Sequence, residues 1–186
     1  MARTPAPGTR DRILATVVPL FYTQGIRAVG MAQIVAAAGC GKNLLYSHFP
    51  TKNDLVAAYL SAVRAERERS TGRALAAATD ARAALVALVT EVADRVCDPG
   101  FRGCALRNYL TEFPTDDDPP GRIAHGYLAS SRTQVDELVR RLGADPVLAD
   151  RVWLVIEALY AVAGRGDAER QARVAVALAE DLIRAG

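Results

Sequence analysis

The chain has 186 residues, of which 51% are hydrophobic and 24% charged, so it can bury a sizeable core and is neither a disordered segment nor a disulfide-stapled mini-protein. Residues 1–69 carry nine Lys or Arg and four Asp or Glu, whereas residues 70–186 carry fourteen and seventeen. A basic N-terminal third favours a polyanionic partner, with nucleic acid as the first candidate. Chance is the alternative, since the charge excess is modest.

Several functional classes lack their sequence signatures. The three cysteines form no Cys-x-x-Cys pair, and the two histidines, His48 and His125, are far apart, which argues against a disulfide framework or a metal site. The GxSxG, HExxH, P-loop and GxGxxG motifs are absent, so we expect no enzyme activity and no cofactor. No run approaches the roughly 20 apolar residues of a membrane span, and residues 1–12 hold no signal-like apolar run, so we expect a cytoplasmic protein.

The first predicted elements are a tail and a helix. Residues 1–8 are rich in Pro, Ala and Gly and are expected to be a flexible tail, with a DNA minor-groove arm as the alternative. The following helix stops at Gly25 and is expected to bend at Pro19, which removes a backbone donor. Its apolar stripe is Ile13, Val17, Leu20 and Phe21.

Two short helices come next. Residues 31–38 follow Gly30 and place Ile34 on their buried face, and Gly39 ends the run. Residues 42–49 allow only two turns before Pro50 prevents continuation. Two short helices around a glycine-containing turn predict a helix-turn-helix.

A long fourth helix is predicted from Thr51, which forms a Thr-x-x-Asp capping box with Asp54. We place its end near residue 78. The sequence leaves open whether residues 70–72, Ser-Thr-Gly, break this helix or are tolerated within it.

Five further helices complete an all-α prediction. They begin after Asp80, near Gly103, at Pro119, after the Asp145-Pro146 pair and after Asp167. Asp145 and Asp167 are expected to cap the eighth and ninth helices. Within the eighth, the segment at residues 152–163 has one charged residue in twelve. It is too short for a membrane, so its surface must be covered on several sides. A second copy is the simplest cover, with Val174, Leu178 and Leu182 of the ninth helix on the same surface. The alternative is a central helix sheathed within one chain.

Residues 12–60 resemble the DNA-binding domain of the TetR family of transcriptional repressors. The resemblance is carried by Ile13, Leu14, Leu20, Phe21, Gly25, Ile34, Ala38-Gly39, Leu45-Tyr46, His48-Phe49, Lys52 and Leu55. A weaker likeness, at Gly103-Cys104, Asn108 and Glu112-Phe113, is to the sixth helix of some members. The resemblance implies a homodimeric repressor that binds a palindromic operator in double-stranded DNA and is released by a small-molecule effector. It places DNA binding in residues 1–50, linked by helix 51–78, and effector binding and dimerisation in residues 51–186.

The predicted recognition helix carries the candidate DNA contacts. The spacing of Leu45 and Phe49 turns these two residues inward, which leaves Lys42, Asn43, Tyr46 and Ser47 facing a major groove if the family's docking applies. Lys42 suits guanine acceptors and Asn43 suits adenine. Three residues stand at family positions that touch phosphates: Tyr46, His48 and Lys52. Packing roles for Tyr46 and for His48 are equally open.

One departure from the family's pattern keeps other functions open. Leu44 stands where the family commonly has Thr or Ser, so a thymine methyl contact is expected in place of a hydroxyl-phosphate bond. The alternatives are therefore a helical small-molecule-binding or adaptor protein that has lost DNA binding, or, less favoured, a helical enzyme.

The candidate effector pocket is formed by aromatic or polar-edged side chains, for which ordinary core packing is the alternative. They are Cys104, Tyr109, Phe113, His125, Tyr127 and Trp153.

Overall fold

The computed structural model describes residues 8–114, 117–162 and 166–186. Within these ranges the chain forms nine α-helices and no strand, so the all-α prediction is confirmed. The helices are α1 (Thr9–Gln24), α2 (Met31–Ala38), α3 (Lys42–His48), α4 (Lys52–Ala76), α5 (Ala81–Val96), α6 (Ala105–Glu112), α7 (Pro119–Leu142), α8 (Val147–Ala161) and α9 (Ala168–Ala185). Residues 1–7 of the predicted tail, residues 115–116 and residues 163–165 lie outside the described residues.

Local signals set the ends of the first helices. α1 ends at Gly25 with φ 84°, and α2 ends at Gly39 with φ 55°, backbone conformations that favour glycine. At the start of α4, the backbone N–H and the Oγ1 of Thr51 donate to Asp54 Oδ2 at 2.9 and 2.7 Å, and the Asp54 N–H donates to Thr51 Oγ1 at 3.1 Å. The predicted capping box is confirmed, and α4 continues through residues 70–72 without a break.

Two later helix starts differ in detail from the prediction. Asp145 Oδ1 accepts the Val147 N–H at 2.8 Å, but the residue directly before α8 is Pro146, so the helix starts at Val147. Asp167 precedes α9 as predicted, yet its side chain makes no capping bond. Its Oδ2 accepts instead from the side chains of Gln171 and Arg170 at 3.0 and 2.9 Å, and these bonds hold the pKa of Asp167 below its ordinary value.

One compact unit consists of Met1–Arg64 and Ala105–His125. In α1 the predicted stripe is buried at three positions, Ile13, Val17 and Phe21, whereas Leu20 is half-buried. The ring of Phe21 meets the ring of Tyr59 edge-on, with a centroid separation of 5.5 Å. The remaining large buried side chains of this core include Ile34, Leu45, Phe49, Leu55, Leu60 and Leu106.

The other compact unit consists of Ala65–Cys104 and Gly126–Gly186. In it α5, α8 and α9 pack against one another. The core includes an apolar stripe of α5 together with side chains from α7, α8 and α9: Leu85, Leu88, Val89, Val92, Val96, Val135, Leu138, Val139, Leu148, Val152, Val155, Ile156, Leu159 and Ile183.

The two units do not divide the chain at residue 50. Residues 51–64 and 105–125 join the N-terminal segment, because helices α4 and α7 each contribute residues to both units. The assignment of DNA binding to residues 1–50 and of effector binding and dimerisation to residues 51–186 stays a prediction.

Candidate nucleic-acid interface

The short helix α3 has one buried and one exposed side. Leu45 and Phe49 lie four residues apart and are 0% and 1% exposed, so they anchor the helix in the first unit's core. The side chains expected to face the major groove lie on the exposed side: Lys42, Asn43, Tyr46 and Ser47. The structure thus groups these four side chains on one accessible helix face.

Leu44 and Ser47 are linked within the same helix. The Ser47 hydroxyl donates to the Leu44 carbonyl at 2.8 Å, which leaves the Ser47 oxygen with acceptor capacity toward a donor such as the amino group of adenine or cytosine. Leu44 itself is half-buried. Part of its apolar surface remains accessible, as a contact with a thymine methyl group would require.

The two remaining predicted phosphate contacts are less exposed than this face. His48 is half-buried, and its Nε2 is buried without a hydrogen-bond partner among the described residues. Lys52, at the start of α4, is also half-buried. Burial lowers the pKa of Lys52, while the negative charge of Glu112 acts in the opposite direction. An approaching phosphate would reinforce the charged form of this lysine.

A clamp centred on Glu112 ties α6 to the turn between α1 and α2. The Glu112 carboxylate accepts the backbone N–H groups of Ile26 at 3.2 Å and Arg27 at 3.0 Å. In return, Nε and Nη2 of Arg27 donate to the Glu112 backbone carbonyl at 3.0 and 2.6 Å. The Arg27 guanidinium also lies 4.5 Å from the ring centroid of Phe113. We call these contacts the Glu112 clamp.

A second connection reaches the start of α4 through Asp118. Its carboxylate accepts from Asn53 Nδ2 at 2.9 Å, from the Tyr109 hydroxyl at 2.9 Å and from the Gly121 backbone N–H at 2.8 Å. Burial acts to raise the pKa of Asp118, but these hydrogen bonds outweigh it and hold the pKa below the ordinary value. Sequence reasoning missed both connections, although the family likeness at Glu112-Phe113 pointed to the residues of the clamp.

The six predicted pocket residues are distributed over both units. In the first unit, Tyr109 is buried and stacks on Phe113 with a centroid separation of 4.9 Å, whereas His125 is exposed. In the second unit, Cys104 and Tyr127 are buried, and Trp153 is half-buried against the core. A cleft of about 570 Å³ in the second unit is lined by other residues. The pocket assignment therefore stays a prediction.

The described residues also bear on metal binding and on membrane insertion. Among these residues, no group of three or more His, Cys, Asp or Glu side chains is placed to hold a metal ion. None of the helices in the same ranges is long and apolar enough to cross a membrane.

Comparisons with known proteins agree with the arrangement of α2 and α3. Residues 13–59 match the family model for bacterial regulatory proteins of the tetR family. A TetR-family transcriptional regulator from Streptomyces coelicolor is 27% identical, with 95% of each chain covered and a TM-score of 0.89. A putative TetR-type regulator from Streptomyces avermitilis is also 27% identical, with 95% of this chain and 97% of that chain covered and a TM-score of 0.81.

Two sequence relatives extend the match beyond residues 13–59. The HTH-type transcriptional regulator LmrA of Bacillus subtilis is 24% identical over 155 residues, 81% of each chain. The HTH-type transcriptional activator FasR of Mycolicibacterium smegmatis is 31% identical over 112 residues, which are 59% of this chain and 51% of FasR. The family model, the solved structures and the sequence relatives all confirm the resemblance: residues 13–59 match the tetR family, and over most of its length the chain is similar to TetR-family transcriptional regulators.

Proposed function

We propose that the chain is a repressor that binds a near-palindromic operator as a homodimer and leaves it when a small-molecule effector binds. The observation that carries the DNA-binding part is the exposed face of α3, held in place by the buried Leu45 and Phe49. On this face, the Lys42 ammonium is a donor for guanine O6 and N7, and the Asn43 amide can pair with adenine.

Dimerisation is supported by an exposed apolar surface on the second unit. Leu154 of α8 is 66% exposed, and Val174 and Leu178 of α9 are 55% and 49% exposed. These helices pack on each other. Burial of such large apolar side chains by a partner is favourable in free energy. Leu182, which was predicted on the same surface, is half-buried. A second copy related by twofold symmetry would place equal surfaces face to face.

Selection of bound sites from random duplex DNA tests the DNA-binding proposal. A twofold dimer presents two equivalent recognition helices, so the enriched sequences should contain two inverted half-sites. Asn43→Ala should relax the preference at one base pair in each half-site, and unaltered enriched sequences would show that Asn43 reads no base. Failure to enrich any sequence would instead favour the alternative, a helical small-molecule-binding or adaptor protein without DNA binding.

Salt dependence tests Lys52 separately. Lys52→Ala should weaken binding to all sequences alike and make the logarithmic salt slope shallower by about one unit, since one phosphate contact is lost. The matched control is Arg140→Ala, which removes an exposed cation of α7 that is paired with Glu137 and should leave the slope unchanged. A parental slope for Lys52→Ala would remove this lysine from the set of phosphate contacts.

Effector release requires a ligand whose affinity differs between the DNA-bound and free conformations. Because α4 contributes residues to both units, we propose that its tilt changes when ligand binds. The two recognition helices would then leave the one-turn spacing of roughly 34 Å that simultaneous docking needs. Sedimentation in the presence of a releasing compound should still find dimers. Monomers with every such compound would make dissociation the switch.

A further inference from the structure

The second unit contains a cleft on the outward side of α5. It is shallow and largely open to solvent, and its volume of about 570 Å³ lies within the range of roughly 300–1,000 Å³ that is usual for small-molecule sites. The α5 residues that line it recur at helical spacing, from Ala83 to Asp94. At 1.5 Å per residue this face is about 16 Å long. A face of this length can accommodate an extended small molecule.

The middle of the cleft is apolar and made of small side chains. Ala83, Val86 and Ala87 of α5 line it together with Ala74 near the end of α4, and three of these four are alanines. All four are half-buried, so they retain surface that a hydrocarbon group can cover, and covering it contributes about 25 cal/mol per Å².

The two ends of the cleft differ in charge. At the end near the start of α5, Asp80 caps the helix by accepting the Ala83 N–H at 2.8 Å, and Arg82 donates to the backbone carbonyl of Ile183. The charges of these two residues offset each other, and the positive end of the helix dipole lies beside them. This end therefore offers a ligand little net charge.

The other end is negative. Glu91 forms an ion pair with Arg95 at 2.8 Å, which offsets its charge. Asp94, one residue before that arginine, is exposed and has no ion-pair partner among the residues that the structure describes. Thr90 adds a hydroxyl oxygen at the same end. An uncompensated carboxylate beside an acceptor hydroxyl suits a donor cation and repels an anion.

We propose that this cleft binds an amphiphilic amine, with the ammonium group at Asp94 and Thr90 and the hydrocarbon along Ala87, Val86 and Ala83. The identification of this amine as the effector rests on the proposed function, whereas its binding to the cleft does not. The ligand class follows from the combination of an apolar middle with one negative end.

Calorimetric titration of the full chain without DNA tests the inference with three probes that share one hydrocarbon: octylamine, octanol and octanoate. We expect octylamine to bind about fivefold more tightly than octanol, which is the upper end of the range for a partly exposed charge pair. Octanoate should bind more weakly than either. Asp94→Asn should reduce the affinity for octylamine to that for octanol without changing octanol binding.

Controls separate the site from general effects of charge and folding. Asp181→Asn removes an acid of the same unit whose side chain is 70% exposed and pairs with Arg184, and it should keep the preference for the amine. Trp153→Ala, in the predicted aromatic pocket, should also keep it. Because Asp94 is exposed, Asp94→Asn is expected to fold normally, which its thermal unfolding will check. Ala87→Trp should block both octylamine and octanol by filling the cleft.

Equal affinity for octylamine and octanol would overturn the inference, as would parental behaviour of Asp94→Asn or loss of amine binding in Trp153→Ala alone. The operator selection distinguishes the remaining failures. If the protein enriches DNA sites but binds octylamine no more tightly than octanol, only the assignment of the cleft to an amine is refuted. A protein that prefers the amine but enriches no DNA refutes the proposed repressor function alone.

Discussion

Removal of the Glu112 carboxylate should destabilise the unit that contains the helix-turn-helix. Glu112→Ala deprives the backbone N–H groups of Ile26 and Arg27 of their acceptor. A hydrogen bond to a charged group contributes about 1.5–3 kcal/mol, and the exposed Arg27 N–H can bond to water instead. We therefore expect a loss of about 2–3 kcal/mol. For a chain of this length each kcal/mol corresponds to about 2–4 °C, so the melting temperature should fall by about 5–10 °C.

Thermal and urea unfolding at one fixed protomer concentration measure this loss, since dimerisation makes stability depend on concentration. Glu137→Ala is the matched control, because Glu137 is a helical glutamate that is 50% exposed and, among the described residues, forms an i,i+3 ion pair with Arg140 alone. It should cost no more than about 0.5 kcal/mol. Glu112→Gln, which retains one acceptor oxygen, should lie between the two. Parental stability of Glu112→Ala would show that the clamp contributes nothing to the fold.

Three further predictions concern backbone conformation, assembly and acid stability. Gly25→Ala should cost about 1–3 kcal/mol in urea unfolding because of its φ of 84° and ψ of 151°. Gly72→Ala inside α4, where the added methyl meets nothing within 4 Å beyond its own helix backbone and its two chain neighbours, should instead stabilise by about 0.5–1 kcal/mol; effects of equal sign would contradict this. Leu154→Glu should weaken the dimer at least about a hundredfold in sedimentation velocity, because a twofold interface would bury the new charge of both copies. Ala77→Glu, the control, should sediment like the parent, and dimers of Leu154→Glu would place the interface elsewhere. The pKa of Asp118 is lower in the folded state than its ordinary value of 3.8, so the stability that its charge contributes is present above about pH 4 and is lost as the pH falls through the folded pKa. Asp118→Asn should therefore be less stable than the parent at neutral pH, and this difference in stability should shrink in acid. A difference that does not change with pH would show that the charge of Asp118 does not stabilise the fold.

Sequence reasoning succeeded where the signal acts within a few residues. The glycines that end α1 and α2 and the capping box at Thr51 and Asp54 depend only on neighbouring backbone groups. The same reasoning was wrong for the capping bond of Asp167, because the side chains of Gln171 and Arg170 compete for its carboxylate. A residue type at the right position identifies a potential acceptor but not which donor it takes.

Contacts between distant segments left no comparable signal. Glu112 and Arg27 are 85 residues apart, and no local pattern relates a carboxylate in α6 to the backbone of the α1–α2 turn. The cleft in the second unit was not predicted from the sequence for a related reason. Sequence reasoning favoured aromatic and polar-edged side chains, whereas the cleft is lined largely by alanines and acids, whose grouping depends on the packing of α4 and α5.

The Glu112 clamp also bears on how the protein is synthesised and engineered. The segment that matches the family model ends at residue 59, but the backbone of its α1–α2 turn obtains two of its hydrogen bonds from a side chain at residue 112. During translation, this turn cannot reach its final bonding until α6 has left the ribosome. A chimaera that joins only residues 1–64 to another sensor would lack those bonds. Transplanting the intact unit requires residues 105–125 as well.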